Sequence, residues 1–157
     1  MNAPVERQGY GMTGPTERFY NPGRNFYFEA PADWLHLHVL DHMNIVQAVR
    51  PDRKVSVTAT GLLGPEGVDL ADFAEKRFEA RDEWLHPVEE VRQLKNGVYR
   101  AFAGVDPSDG EAMFWVIGAV QIAPRTFVSF SVIAQQDDFE HNRALYEDIM
   151  ESPRLND

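Results

Sequence analysis

Residues 88–134 read VEEVRQLKNGVYRAFAGVDPSDGEAMFWVIGAVQIAPRTFVSFSVIA, and this stretch decides the fold. Segments 88–95 and 98–105 flank Asn96-Gly97, a dipeptide suited to the positive φ of a two-residue turn, so the spacing predicts a hairpin. Residues 106–111, DPSDGE, have the chemistry of a longer loop. Segment 112–122 then carries Phe114, Val116 and Val120 on one face and Met113, Trp115 and Ile117 on the other. Pro124-Arg125 turns it into 126–134, apolar on the Val128, Phe130, Val132 face. Four consecutive strands with short connections make an antiparallel meander. A strand apolar on both faces has to be covered on both.

Two helices are expected to supply the covers. One starts at Asp69 as N-cap, places Leu70, Phe73, Ala74, Phe78 and Leu85 on one side with Trp84 beside them, and stops at Pro87. The other runs over 138–151 with Phe139, Tyr146, Ile149 and Met150 as its stripe. Asp137 and Glu140 have capping-box spacing there, and Ser152-Pro153 stops the helix. Upstream, 26–28, 35–40, 45–49 and 54–60 read as short strands. Residues 1–24 hold four glycines and three prolines without periodicity and read as a tail. Its Tyr10, Phe19 and Tyr20 lie either on the domain surface or across a partner subunit. The expectation is a single domain over 25–157 of α+β class, an antiparallel β-sheet with helices packed on it.

Composition narrows function by exclusion. The 157 residues hold 15 Lys+Arg against 25 Asp+Glu, a net charge of −10, which argues against a nucleic-acid groove or an anionic-membrane patch. Two spans carry most of it: 64–96 has nine acids to five bases, and 135–157 has seven to two. Both contain proposed helices, so the acidity belongs chiefly to solvated helix faces. With no cysteine, disulfide scaffolds, thiolate zinc sites and cysteine nucleophiles drop out together. No apolar stretch has the length of a signal peptide or a membrane span, so the expected location is cytoplasmic, without membrane insertion.

The one constellation with chemical promise is His36, His38 and His42, near Asp33 and Asp41. Strand alternation puts His36 and His38 on one face, as two imidazoles converging on a metal require, and His42 can swing in from the following turn. The same alternation, with Leu35, Leu37 and Val39 facing the other way, also describes an ordinary half-covered strand. The spacing resembles the first metal motif of cupins, without its flanking glycines or following glutamate. Carboxylate neighbours such as Glu89-Glu90 point apart, and Ser129 and Ser131 share a strand face that could meet a histidine in space but fits small polar residues under a helix; no phosphate loop, dinucleotide fingerprint or nucleophile elbow is present. No cofactor is expected.

Phe26-Tyr27-Phe28-Glu29-Ala30-Pro31-Ala32-Asp33-Trp34 resembles the opening of the PsbP/DcrB-like superfamily, a strand followed by Pro, two residues and Trp. The order of elements over 25–155 and the tail Ser152-Pro153-Arg154-Leu155 are similar as well. The resemblance implies an α/β/α sandwich whose members act mainly through protein contacts, some of them small acidic dimeric chaperones that hold apolar segments of secreted effectors. Two readings follow. The first is a non-catalytic protein-binding or adaptor protein, chaperone-like, able to form a homodimer. The alternative is a metal-binding module or metal-dependent enzyme using His36, His38 and His42.

Overall fold

In the computed structural model, residues 12–156 are described, and the meander lies at their centre. Strands β8 (Gly97–Val105), β9 (Ala112–Ala123) and β10 (Thr126–Ile133) pair in sequence order, and Arg125, with φ of 59°, makes the tight β9–β10 turn. On the far side of β10 lie β5 (Ser56–Leu63), β4 (Ile45–Val49) and β3 (Leu35–His38). On the far side of β8 lie β6 (His86–Pro87) and β7 (Arg92–Gln93). All eight strands of this sheet are antiparallel to their neighbours, in the order β3-β4-β5-β10-β9-β8-β6 with β7 also on β8.

The hairpin at Asn96-Gly97 differs from expectation in its turn. Gln93 is paired with Val98, Leu94 N–H donates to Gly97 C=O at 2.7 Å, and neither Asn96 nor Gly97 has positive φ. Glycine is needed for another reason. A Cβ on Gly97 would collide with the Val120 side chain and the Ala119 carbonyl of β9, which lie against this backbone. Gly97→Ala is therefore expected to destabilise by about 1–3 kcal/mol, seen in urea unfolding as a lower midpoint at unchanged slope. The strand before this turn is interrupted too. Pro87 lies opposite Phe102 and Arg92 opposite Tyr99, so residues 88–91 face only Arg100 and Ala101, and the surplus bulges outward.

Helix α1 (Leu70–Glu79) covers one face of the sheet, with Asp69 accepting from Asp72 N–H as N-cap. Ala74, Phe78, Leu85, Val98, Phe102, Ile117 and Ala119 form the core there. The helix ends well before Pro87. The N–H of Ala80 bonds back to Lys76 and Arg77, a turn closes from Asp82 to Leu85, and the chain folds onto β8. Trp84 and Leu85 thus reach the same cluster from a turn rather than from the helix.

The opposite face is covered by α2 (Gln136–His141) and α3 (Arg143–Glu151), and by a second sheet of β1 (Thr16–Tyr20), β2 (Phe26–Pro31) and β11 (Arg154–Leu155). The expected single C-terminal helix is broken at Asn142. Its side-chain amide bonds to the carbonyl and carboxylate of Asp138, a local bond that competes with helix continuation. The expected capping box is not formed: Gln135 is the N-cap, without a side-chain bond. The stripe is as expected, with Phe139, Tyr146, Ile149 and Met150 all fully buried. Residues 1–11 of the expected tail, Tyr10 among them, lie outside the described residues. Residues 16–20 are not tail but strand: Phe19 pairs with Phe28 and Tyr20 with Tyr27. Phe19, Phe28 and Trp34 enter the core, where Phe28 meets Phe130 of the large sheet edge-on at 5.8 Å. Of the aromatics upstream of residue 24, Phe19 lies on the inner face of this strand and Tyr20 on its outer face. The result is an α+β sandwich with an antiparallel sheet between its covers.

Candidate functional site

The histidines were the sequence's candidate, and the structure gives two of them a different occupation. His36 and His38 do share a face of β3, with ring centroids 4.9 Å apart. Their Nε2 atoms lie 3.0 and 3.3 Å from the Tyr20 carbonyl at the end of β1. A carbonyl only accepts, so both nitrogens act as N–H donors in this arrangement and are turned away from metal ligation. Phe19 packs against the His36 ring at 4.9 Å. The pair ties the small sheet to the edge of the large one. His42 lies in the next turn, its backbone N–H bonded to Val39. Among the described residues, no three His, Cys, Asp or Glu side chains are grouped to hold a metal, so His36, His38 and His42 do not assemble the expected site.

Most of the polar chemistry surrounds Phe139 and serves to seat the helices. Tyr146 donates to Asp138 at 2.6 Å and receives an Arg50 N–H at 3.4 Å. Tyr99 donates to Glu147 at 2.6 Å and receives an Arg143 N–H at 2.8 Å. Each buried phenol thus sits between one guanidinium and one carboxylate. Burial first, and the carboxylate second, hold both phenols above the ordinary tyrosine range. Arg50 grips Asp138 with two N–H groups at 3.0 and 2.6 Å and Asp52 with its Nε. Arg143 grips Glu89, which the bulge after Pro87 brings into reach, at 2.9 and 3.1 Å. The serine hydroxyls are similarly engaged, Ser129 by Arg77 Nε at 3.2 Å and Ser131 by the Trp115 indole N–H. These groups satisfy one another across the sandwich and form no nucleophile–base pair.

The open feature is a groove of about 390 Å³ between the two sheets, at the end where β5 stops and β10 starts. Phe26 of the small sheet and Ile122 of the large one line it, with Leu62 and Phe127 at its edge, although the Phe127 ring turns to the other face and stacks on Phe73 of α1 at 4.2 Å. Leu63, 70% exposed, and Leu155, 43% exposed, stand at its rim. Gly61 makes room for it, since a Cβ there would lie 2.8 Å from the Phe26 ring. Ile122 is shared with an adjoining, mostly polar cleft of about 220 Å³ beside Asn96, Gln121, Glu151 and Arg154. A larger cleft of about 490 Å³ at the other end of the sheet is more polar, flanked by Lys54, Gln135 and Asp137. Sequence reading missed the groove because its walls come from five strands scattered from residue 26 to 155. One signal was present: Leu62 and Leu63 continue apolar past the expected end of their strand.

No family model and no curated protein matches the chain. Solved structures similar to it include the following two. A protein from Bacteroides thetaiotaomicron superposes with a TM-score of 0.63 at 11% identity, over 93% of this chain and 50% of its own. The chain therefore spans about half the length of that protein. LpqN of Mycobacterium tuberculosis, involved in cell envelope biogenesis, superposes with a TM-score of 0.52 at 12% identity over 91% of each chain. At such identities the likeness is one of fold.

Proposed function

We propose that a chain with this fold and this groove is a non-catalytic binding or adaptor protein, chaperone-like in that it seats an apolar segment of a protein partner between its two sheets. The observation that carries the reading is the rim. Leu63 and Leu155 present aliphatic surface to water beside the Phe26 ring, the arrangement by which apolar clefts hold aliphatic or aromatic side chains. The polar groups point the same way, since the arginines, tyrosines and serines inside the sandwich are occupied with each other. Among the described residues no helix is long and apolar enough to cross a membrane. A cytoplasmic place of action belongs to the proposal, in keeping with a chain that has no cysteine.

The test places a photo-crosslinking residue at Thr126, on the groove wall, in the native cell. One discrete protein adduct is expected, weakened about tenfold by Leu63→Glu with Leu155→Glu, because about 1.4 kcal/mol of lost apolar contact is a factor of ten. Both substituted side chains are exposed, so stability should stay within about 0.5 kcal/mol of the parent. An adduct that is a lipid or a second copy of this chain, or one indifferent to the double substitution, overturns the assignment.

A further inference from the structure

The outer face of the small sheet carries chemistry of the opposite kind. Alternation along β1 and β2 turns Phe19, Phe26 and Phe28 inward and leaves Arg18, Tyr20, Tyr27 and Glu29 on the outer side. Tyr20 and Tyr27 are cross-strand partners with ring centroids 5.2 Å apart. The Arg18 guanidinium lies over the Tyr27 ring at 4.5 Å and the Arg24 guanidinium over the Tyr20 ring at 4.2 Å. On the other side of Tyr27, Arg154 of β11 is its register partner, with Nη1 bonded to the carbonyls of Glu151 and Pro153.

All three arginines are exposed, and among the described residues none of them forms an ion pair. Glu29, opposite Arg18, accepts from the Thr16 hydroxyl. In a chain of net charge −10, this face is locally positive.

We infer that this arginine–tyrosine face is a docking surface for a short acidic segment of a protein partner, whose carboxylates take the N–H groups that these contacts leave over on Arg18, Arg24 and Arg154. A ring contact uses the face of a guanidinium and not its N–H groups; Arg18 gives Nη1 to the Tyr20 hydroxyl at 3.5 Å, and its other N–H groups, like those of Arg24, remain for a carboxylate. Because Arg18 and Arg24 are already held on the rings, less side-chain freedom is lost on binding. Charge selects the occupant. A few carboxylates match three guanidiniums, while a long polyanion such as a nucleic acid would also meet the acidic helical faces and be repelled. The groove lies on the inner side of the same sheet and uses other residues, so either assignment can fail alone.

The experiment uses the full chain and a fluorescein-labelled peptide of about ten residues alternating Glu and Asp, read by polarisation in about 20 mM and about 300 mM salt. Saturable binding is expected at low salt, falling about tenfold at high salt as exposed pairs are screened. Arg18→Gln with Arg24→Gln should weaken it by about tenfold or more, in line with the loss of two charge-assisted contacts. Arg18→Lys with Arg24→Lys should fall between, since charge remains and stacking does not. Leu63→Gln, which alters the groove rim without adding charge, should leave it unchanged. Equal binding by the glutamine variant, equal binding of the matched Gln/Asn peptide, or tighter binding of a single-stranded DNA of the same charge overturns the inference. Unchanged thermal melting of the arginine variants separates lost binding from lost fold.

Discussion

Phe139→Ala should lower the stability of this protein by about 3–5 kcal/mol, the largest single-residue effect we expect. The ring is fully buried at the point where the two halves of the sandwich meet. It stacks on Tyr146 at 5.3 Å and 5°, packs against Phe114 at 5.5 Å and Tyr99 at 6.1 Å, and lies under the Arg143 guanidinium at 5.0 Å. Removing it takes away the transfer free energy of the ring and leaves a cavity walled by aromatic side chains that the sheet holds in place. Both phenol networks flank that cavity, so their geometry loosens with it. For a chain of this length the expected fall in melting temperature is about 10 °C, and Phe139→Leu, which fills most of the space, should lose roughly a third as much. A drop of less than about 1 kcal/mol for the alanine variant would show that α2 is not anchored through this ring.

The second large effect is at Asp138. Its carboxylate accepts from Arg50 twice, from Tyr146 and from Asn142, and these bonds, Arg50 first, hold its pKa down to about 2. Asp138→Ala leaves the Arg50 fork and the Tyr146 hydroxyl unmatched in a partly buried site, and the expected cost is about 2–4 kcal/mol at neutral pH. The pH dependence has a definite sign. A carboxylate whose folded pKa lies below its unfolded value near 3.8 binds fewer protons folded than unfolded, so its contribution is fully present above about pH 5. It is lost as pH falls through about 2, and amounts to about 2–3 kcal/mol. Asp138→Asn should therefore flatten the acid limb of the stability curve between about pH 5 and 2 relative to the parent, measured by urea unfolding at each pH. A parallel acid limb in the two proteins would place the acid sensitivity elsewhere.

These two residues also show where reading the chain succeeds and where it stops. Phe139, Tyr146, Ile149 and Met150 were legible as a buried stripe because helical period alone puts them on one side. The two apolar faces of β9 were legible for the same kind of reason, with period two. What the stripe leaves unspecified is the polar half of the same helices. Asp138 has the spacing of a cap neighbour, yet its carboxylate is taken by Arg50, 88 residues away, and no local rule connects them. The hairpin is a subtler case. Asn96-Gly97 marks a hairpin, but its turn lies one residue earlier, at Lys95-Asn96, and the glycine is required by the closeness of Val120, a contact that exists only once β9 is in place.

The candidate sites divide along the same line. His36 and His38 were correctly placed on one face, since strand alternation is a local property, but alternation is silent about what that face meets. It meets the Tyr20 carbonyl, delivered by a strand formed from residues expected to be tail. By itself, then, the sequence determined the α+β class, the meander, the positions of the two helical covers and the acidity of their outer sides, because periodicity and composition act within a few residues. Only the tertiary structure decided that the chain folds a second small sheet over the first, with an apolar groove beneath it and an arginine–tyrosine face above. Those features are made of residues far apart in the chain, and burial and pairing between them arise only when the two sheets pack.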